Sequence, residues 1–234
     1  MSEDINSEKY VKSLFDEMAK TYGLVNLISS LGFAYLWRKK AVLHLPKSST
    51  VADIMTGGGE CLQHLKKHLG NDVHVDLVDI SSEMCHNANE QIKRNQYTNT
   101  KIFNCSALEI PIPDNYYDAI VSTFGMKTLS DDDLNKLAKE TKRIIKNNGV
   151  LSILEFSLPS NKFIQFFFKL YVKYYVPTLG FLLLGNPENY RMLWQYTEKF
   201  MNCEKLIPIF QKEGFTVEYK NYFFGSATIL IGRL

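Results

Sequence analysis

At 234 residues with 45% hydrophobic residues, the chain is long enough to bury one large core, and we expect a single domain over residues 1–234. The formal net charge is only +2 and the basic residues are spread along the sequence, which argues against nucleic acid as a partner. Four widely spaced cysteines form no C-x-x-C pair and no apolar signal segment opens the chain, so we expect a cytoplasmic protein with free thiols.

The predicted elements alternate along most of the chain. Two helical stretches, near residues 7–22 and 25–43, form a predicted N-terminal cap over residues 1–48. Strands separated by helices follow, and this alternation predicts parallel βαβ units. They are predicted at Val51–Met55, His74–Asp79, Lys101–Asn104, Tyr117–Thr123 and Val150–Phe156.

The last part of the chain predicts a helix and then a hairpin. The helix is expected near Cys203–Glu213, and two strands follow at Thr216–Tyr219 and Tyr222–Ile231. A tight turn at Lys220–Asn221 would make the last strand antiparallel. Together these elements predict an α/β fold with a doubly wound, Rossmann-like, seven-stranded sheet.

The first strand ends at an acid and runs into three consecutive glycines. Gly57 and Gly59 tolerate positive φ and let backbone N–H groups approach a ligand closely. Asp53 before the turn would repel a pyrophosphate but suits a cation, and Leu62 replaces the third glycine of the dinucleotide-binding pattern. These features favour S-adenosylmethionine over nicotinamide dinucleotides. A tight turn that binds no ligand is the alternative.

A second acid closes the second strand. Asp79 lies about 20 residues beyond the glycines, where a carboxylate is expected to accept hydrogen bonds from a ribose. Its negative charge would also stabilise the N-terminus of the helix predicted over residues 82–95, through the helix dipole. The two roles are compatible.

Residues 162–185 form the most apolar segment. Lys169, Lys173 and Pro177 interrupt it, which argues against a membrane-spanning helix. We interpret it as part of a helical lid, inserted at residues 160–200, over a binding pocket. Its apolar residues cover more than one helical face, so the outer face would meet a membrane peripherally, a long isoprenoid tail or a second subunit in a homodimer; core packing is the alternative.

Several short stretches, in order, resemble the ubiquinone/menaquinone biosynthesis C-methyltransferases, a family of class I S-adenosylmethionine-dependent methyltransferases. The resemblance runs nearly end to end. It is carried by Phe15-Asp16, Tyr22 to Asn26, Ser30 to Gly32, Leu36-Trp37-Arg38, the glycine turn, Val78 to Ser81, Pro111 to Asp114, Phe124-Gly125, Leu154 to Ser157 with Pro159, and Asn189-Tyr190-Arg191.

The resemblance implies a site for the methyl donor at the carboxyl ends of the strands. Residues after the first strand would hold the methionine part, and residues after the second and third strands would hold ribose and adenine. The predicted donor site comprises Asp53, Thr56, Gly57, Gly59, Asp79, Ile80, Ser106, Ala107 and Thr123.

The resemblance also implies a quinol-like or phenolic acceptor beside the donor, either bare or prenylated with an isoprenoid tail. A related heteroaromatic ring is a further candidate for the acceptor. Lys127 is our candidate for exchanging a proton with the ring, and Tyr22, Asn26 and Tyr190 are candidates for orienting it. The alternative for Lys127 is a solvated surface lysine. The family usually has Arg-Asn where this chain has Lys127-Thr128, so transfer to O or N of a small natural product is an alternative function. A catalytically silent subunit that binds S-adenosylmethionine and docks through its apolar lid onto an enzyme complex or membrane is another.

No metal site is predicted. His64 and His68 lie four residues apart, a spacing that can bind a metal, but no third ligand is evident. The adjacent glutamate of the metalloprotease signature is also missing.

Overall fold

A computed structural model describes residues 4–47 and 50–234 and contains one seven-stranded sheet. The strand order is β3-β2-β1-β4-β5-β7-β6, and β7 runs antiparallel to both of its neighbours, β5 and β6. The doubly wound sheet with an antiparallel last strand is therefore confirmed. The strands are β1 Thr50–Ile54, β2 His74–Asp79, β3 Thr100–Asn104, β4 Tyr117–Thr123, β5 Ile145–Phe156, β6 Thr216–Tyr222 and β7 Ala227–Arg233.

Helices cover both faces of this sheet. Apolar side chains of α3, α4 and α5 pack on one face, and those of α6 and α10 pack on the other. The helices are α1 Glu8–Met18, α2 Tyr22–Ser29, α3 Phe33–Leu43, α4 Leu62–Leu69, α5 Ser82–Asn95, α6 Asp131–Ile144, α7 Lys162–Leu170, α8 Val176–Leu182, α9 Pro187–Phe200 and α10 Ile207–Lys212.

The chain order reverses between β1 and β4, in the middle of the sheet. β1 pairs in parallel with β2 on one side and with β4 on the other. Ligands of open α/β sheets bind outside the carboxyl ends of the strands at such a reversal. The loops after β1, β2 and β4 are therefore the ones that can build a site.

The N-terminal cap has three helices where the sequence predicted two stretches. The predicted stretch at 25–43 breaks at Leu31 and Gly32, which adopt φ of 49° and 79°. Such left-handed residues end a helix, and α3 starts again at Phe33. The prediction missed the break because the apolar spacing continues across it.

The predicted turn of the last hairpin is wrong. Lys220 and Asn221 lie inside β6, and the chain turns at Phe223–Gly225. Polar residues suit β6 because it is the edge strand of the sheet. The turn instead uses Phe223, Phe224 and Gly225, all with positive φ.

The segment predicted as a lid is helical throughout most of its length. It contains α7, a π-helical stretch at Tyr171–Tyr175, α8 and α9. Across the described ranges, no helix is long and apolar enough to cross a membrane. That the whole chain forms a single domain with this segment as its lid stays a prediction.

Candidate active site

The glycine turn links the two acids at the ends of β1 and β2. Gly57 and Gly59 have φ of 61° and 80°, as the turn requires. Thr56 Oγ1 donates a hydrogen bond to Asp53 Oδ2 at 2.6 Å, and Gly57 N donates to Asp79 Oδ2 at 2.8 Å. The turn is thereby fixed to both strand ends.

Both carboxyl groups are buried, and burial raises their pKa values. The pKa of Asp53 rises to about 7, and its Oδ1 has no hydrogen-bond partner within residues 4–47 and 50–234. The pKa of Asp79 rises to about 6, although hydrogen bonds from Ser81 N and Gly57 N oppose the effect of burial. Buried acids with raised pKa values in a cleft are typical of functional sites.

A cavity of about 790 Å³ lies over the ends of β1, β2 and β4. We call it the donor cavity. Most of the residues predicted to bind the donor line it, namely Thr56, Gly57, Asp79, Ile80, Ser106, Ala107 and Thr123. Asp53 and Gly59 are not in its lining, and Asp53 lies fully buried behind Thr56.

Helix α1 and the residues before it form one wall of the donor cavity. Asn6, Glu8 and Phe15 line the cavity. Asn6 Nδ2 donates to the carbonyl of Thr128 at 2.8 Å, and the hydroxyl of Ser106 donates to the carboxylate of Glu8. The N-terminal cap is therefore attached to the loops after β3 and β4.

Two further charged residues line the donor cavity and are not among the predicted donor-site residues. Arg38 of α3 is buried, its guanidinium lies 4.8 Å from the centre of the Phe124 ring, and its Nε lacks a hydrogen-bond partner among the described residues. Glu60 lines the cavity beside the glycine turn. The position of Arg38 in this cavity was not predictable because α3 and the glycine turn are brought together only by the fold.

These residues fit S-adenosylmethionine. Arg38, whose Nε is unpaired, would hold the carboxylate of the methionine part, and Glu60 would face its ammonium group. Asp79 has acceptor capacity for ribose hydroxyls. Ile80, Met84 and Leu108 supply apolar surface for adenine.

A second cavity, of about 620 Å³, adjoins the donor cavity and shares Tyr22 and Phe124 with it. We call it the acceptor cavity. Most of its lining is apolar or aromatic, and much of it comes from α2, α3 and the segment over residues 171–197. All four residues predicted to act on the acceptor line it, namely Tyr22, Asn26, Lys127 and Tyr190.

Lys127 is buried in the wall of the acceptor cavity, so the alternative of a solvated surface lysine is wrong. Only 5% of it is exposed, and Nζ lies 2.8 Å from Oε1 of Glu155, a fully buried residue on β5. Nζ also donates to the carbonyl of Phe124. Glu155 in turn accepts hydrogen bonds from the backbone N of Lys127 and of Phe156. The cavity therefore contains a buried ion pair held by backbone groups.

Tyr190 of α9 is held at both its hydroxyl and its ring. Its hydroxyl hydrogen-bonds with Thr21 Oγ1 at 2.8 Å, and burial raises the pKa of the phenol. Its ring packs directly on the backbone of Gly180, and a Cβ at Gly185 would lie 3.0 Å from Tyr190 Cε2. Gly180 and Gly185 thus make room for this ring.

Gly180→Ala is expected to destabilise the protein by about 1–3 kcal/mol, because a methyl group at this position overlaps the Tyr190 ring. Thermal unfolding measures the effect. The matched control is Gly23→Ala in α2, where the nearest atom to the new Cβ would be 4.0 Å away. The control should be neutral or stabilise by up to about 1 kcal/mol, the difference in helix propensity. Equal melting temperatures for both variants would contradict the contact.

His64 and His68 do not converge on a common point. The ring of His64 is buried against Tyr35, and burial lowers the pKa of His64 to about 4. His68 Nε2 hydrogen-bonds with the carbonyl of Leu45. Within the described part of the chain, no three His, Cys, Asp or Glu residues are grouped to hold a metal ion.

Comparisons with known proteins agree with this geometry. The model of the ubiE/COQ5 methyltransferase family matches residues 3–233. The ubiquinone/menaquinone biosynthesis C-methyltransferase UbiE of Rickettsia akari is 33% identical over an alignment of 228 residues that covers 95% of this chain and 91% of that protein.

Solved structures share the fold. A SAM-dependent methyltransferase from Aquifex aeolicus has a TM-score of 0.58 and 22% identity, covering 81% of this chain and 84% of that one. A SAM-dependent methyltransferase from Thermotoga maritima, described as a possible histamine N-methyltransferase, has a TM-score of 0.66 and 19% identity. The match covers 95% of this chain and 98% of that one. Since the family model spans almost the whole sequence, the chain belongs to the ubiE/COQ5 methyltransferase family and is an S-adenosylmethionine-dependent enzyme.

Proposed function

We propose that the chain methylates a ring carbon of a quinol-like or phenolic molecule held in the acceptor cavity. The observation that carries this proposal is the buried Lys127–Glu155 pair, which places a cationic donor group in the wall of a mostly apolar cavity. The cavity suits an aromatic ring with a polar substituent. The names of the similar Rickettsia proteins support carbon as the position methylated.

The donor cavity would bind S-adenosylmethionine, and the acceptor cavity would bind the ring that receives the methyl group. S-adenosylmethionine, when bound, supplies an electrophilic methyl group. Asp79, Arg38 and Glu60 would fix its polar groups in the donor cavity. Tyr22 and Phe124, which both cavities share, would keep water from the meeting point of the two ligands.

Lys127 would act on the oxygen of the ring. Its ammonium group has a carboxylate partner in Glu155 and donates hydrogen bonds, so it would stabilise a ring oxygen that has released its proton to water. An ionised ring oxygen makes the neighbouring ring carbon more nucleophilic. Asn26 and Tyr22 would set the orientation of the ring, and positioning of this kind dominates methyl transfer.

The proposal predicts incorporation of one methyl group into the ring of a water-soluble acceptor. The purified chain would be incubated with S-adenosylmethionine labelled in its methyl group and a demethylated benzoquinol or naphthoquinol. Mass spectrometry detects the transfer, and NMR shows whether the label is bonded to carbon. A product methylated on oxygen would contradict carbon transfer, and absence of any product across both ring types would contradict an aromatic acceptor.

A further inference from the structure

A buried asparagine near the start of the chain contacts the turn that carries Lys127. Asn6 lies immediately before Ser7, which caps the N-terminus of α1, and only 3% of Asn6 is exposed. Its Nδ2 donates a hydrogen bond to the carbonyl of Thr128 at 2.8 Å, and its Oδ1 accepts one from Lys199 Nζ. Both polar atoms of this side-chain amide are therefore used inside the protein.

The turn that Asn6 contacts is a single 3₁₀ turn over Met126–Thr128. Such a short helix makes few hydrogen bonds of its own, so contacts from other parts of the chain help to fix its position. One comes from β5, where Glu155 Oε2 accepts a hydrogen bond from the backbone N of Lys127 at 3.2 Å. Asn6 supplies another, at the last residue of the turn. Lys127 is thus held between two contacts made by distant parts of the chain.

Lys199 sets the orientation of the Asn6 amide. An ammonium group can only donate hydrogen bonds, so the atom of Asn6 that faces Lys199 is the oxygen. The nitrogen is then directed to the carbonyl of Thr128, which can only accept. Since Lys199 belongs to α9, one asparagine joins this helix, the N-terminal segment and the turn of Lys127.

We propose that Asn6 is a positioning residue for methyl transfer, because its hydrogen bond to Thr128 holds the ammonium group of Lys127 at the wall of the acceptor cavity. The inference rests on the role given to Lys127 in the proposed function. Lys127 Nζ lies 2.8 Å from Glu155 Oε1, and a turn that was free to shift would move the ammonium group away from the ring oxygen. A misplacement of about 1 Å in such a group can cost about a hundredfold in rate.

Acylation of Lys127 tests the proposal without any methyl donor or acceptor. The full chain is treated briefly with acetic anhydride, and peptide mass spectrometry measures acylation of Lys127 and of Lys66, a buried lysine that lines neither cavity. Asn6→Asp keeps an oxygen for Lys199 but replaces the donor to Thr128 by a second oxygen. We expect it to raise the acylation rate of Lys127 by at least about tenfold, through local opening of the turn, and to leave Lys66 unchanged. Asn6→Ala, which adds no charge, should give the same result.

Tyr196→Phe is the matched control. The hydroxyl of Tyr196, also on α9, donates a hydrogen bond to the carbonyl of Ile5, the residue next to Asn6. Its loss weakens the attachment of the same segment but leaves the Asn6 side chain in place, so Lys127 should react within about twofold of the wild-type rate. Equal acylation of Lys127 in Tyr196→Phe and Asn6→Asp, an unchanged rate in Asn6→Asp, or an equal rise at Lys66 would overturn the proposal.

Turnover of a water-soluble quinol gives a second readout. At saturating S-adenosylmethionine, Asn6→Asp should lower the turnover number by about 10–100-fold. Asn6→Asp/Lys127→Met should match Lys127→Met alone within about twofold, because Asn6 acts through Lys127. A double variant slowed by the full effect of Asn6→Asp would contradict this inference.

The two readouts separate this inference from the proposed function. Methyl transfer by the wild type, with unchanged acylation of Lys127 in Asn6→Asp, would contradict only the role of Asn6. Raised acylation in Asn6→Asp, with no methyl transfer by the wild type, would contradict the proposed function and still support the hold of Asn6 on Lys127. Circular dichroism would verify that each variant is folded.

Discussion

Replacing Asp79 with alanine is expected to weaken binding of S-adenosylhomocysteine by about a hundredfold. A carboxylate that accepts two ribose hydroxyls contributes hydrogen bonds of roughly 1.5 kcal/mol each, and about 3 kcal/mol corresponds to this factor. The variant also removes the acceptor for the backbone N–H groups of Gly57 and Ser81, which loosens the glycine turn. Isothermal titration calorimetry measures the change in dissociation constant.

Asp72→Ala is the matched control, because Asp72 is exposed and lies in the loop before β2, outside the lining of the donor cavity. Its affinity should equal that of the wild type. Asp79→Asn keeps an oxygen acceptor, so it should lose less affinity for S-adenosylhomocysteine than Asp79→Ala does. If Asp79→Ala bound within about threefold of the control, Asp79 would have no part in donor binding.

The pH dependence of S-adenosylhomocysteine binding should show that the carboxyl group responsible is that of Asp79 and not that of Asp53. Burial raises the pKa of Asp79 to about 6, so the carboxyl gains a proton as the pH falls through this value and loses acceptor capacity. Donor affinity should therefore fall below pH 6 in the wild type and stay flat in Asp79→Asn. Asp53, whose pKa is raised to about 7, remains in that variant and would keep a slope near neutral pH if it were responsible.

Lys127→Met is expected to lower the turnover number by about 10²–10³-fold while leaving the affinity for S-adenosylhomocysteine unchanged. The lysine lines the acceptor cavity and not the donor cavity, so its loss should affect the chemical step. Single-turnover kinetics with a water-soluble quinol measures the rate. Wild-type turnover in Lys127→Met would exclude Lys127 from the mechanism.

The effect of Lys127→Met on the stability of the fold must be separated from its effect on the rate of methyl transfer. Removing Lys127 alone leaves Glu155 buried without its cation, which costs about 3–5 kcal/mol. The double variant Lys127→Met/Glu155→Gln removes that charge and should recover most of the stability but none of the turnover. Lys66→Met is the control for loss of a buried lysine, because Lys66 donates only to backbone carbonyls and lines neither cavity.

The ends of the central strands were predictable from local pattern. Asp53 and Asp79 each close a short apolar run, and runs that alternate with helices form parallel strands whose carboxyl ends share one edge. No longer-range information is needed to place such residues together. That is why the loops after β1 and β2 could be assigned to a donor before the structure was known.

The charged partners within the cavities were not predictable in this way. Arg38 is buried because the neighbouring Trp37 and Ala41 of α3 pack on the sheet, and only that packing brings it to Phe124. Lys127 owes its burial to Glu155, which lies on the next strand. Both pairings depend on the way helices and strands pack, which spacing along the chain does not encode.

The strand order has a consequence for synthesis of the protein on the ribosome. β7 lies between β5 and β6, yet it follows every other strand in the chain. Until β7 has emerged, β5 exposes a whole row of unpaired backbone groups, and Glu155, which pairs with Thr228 in the finished sheet, lacks its covering neighbour. This side of the sheet is therefore completed only after the other six strands have been synthesised, and a nascent chain stalled before β7 is open to aggregation along β5.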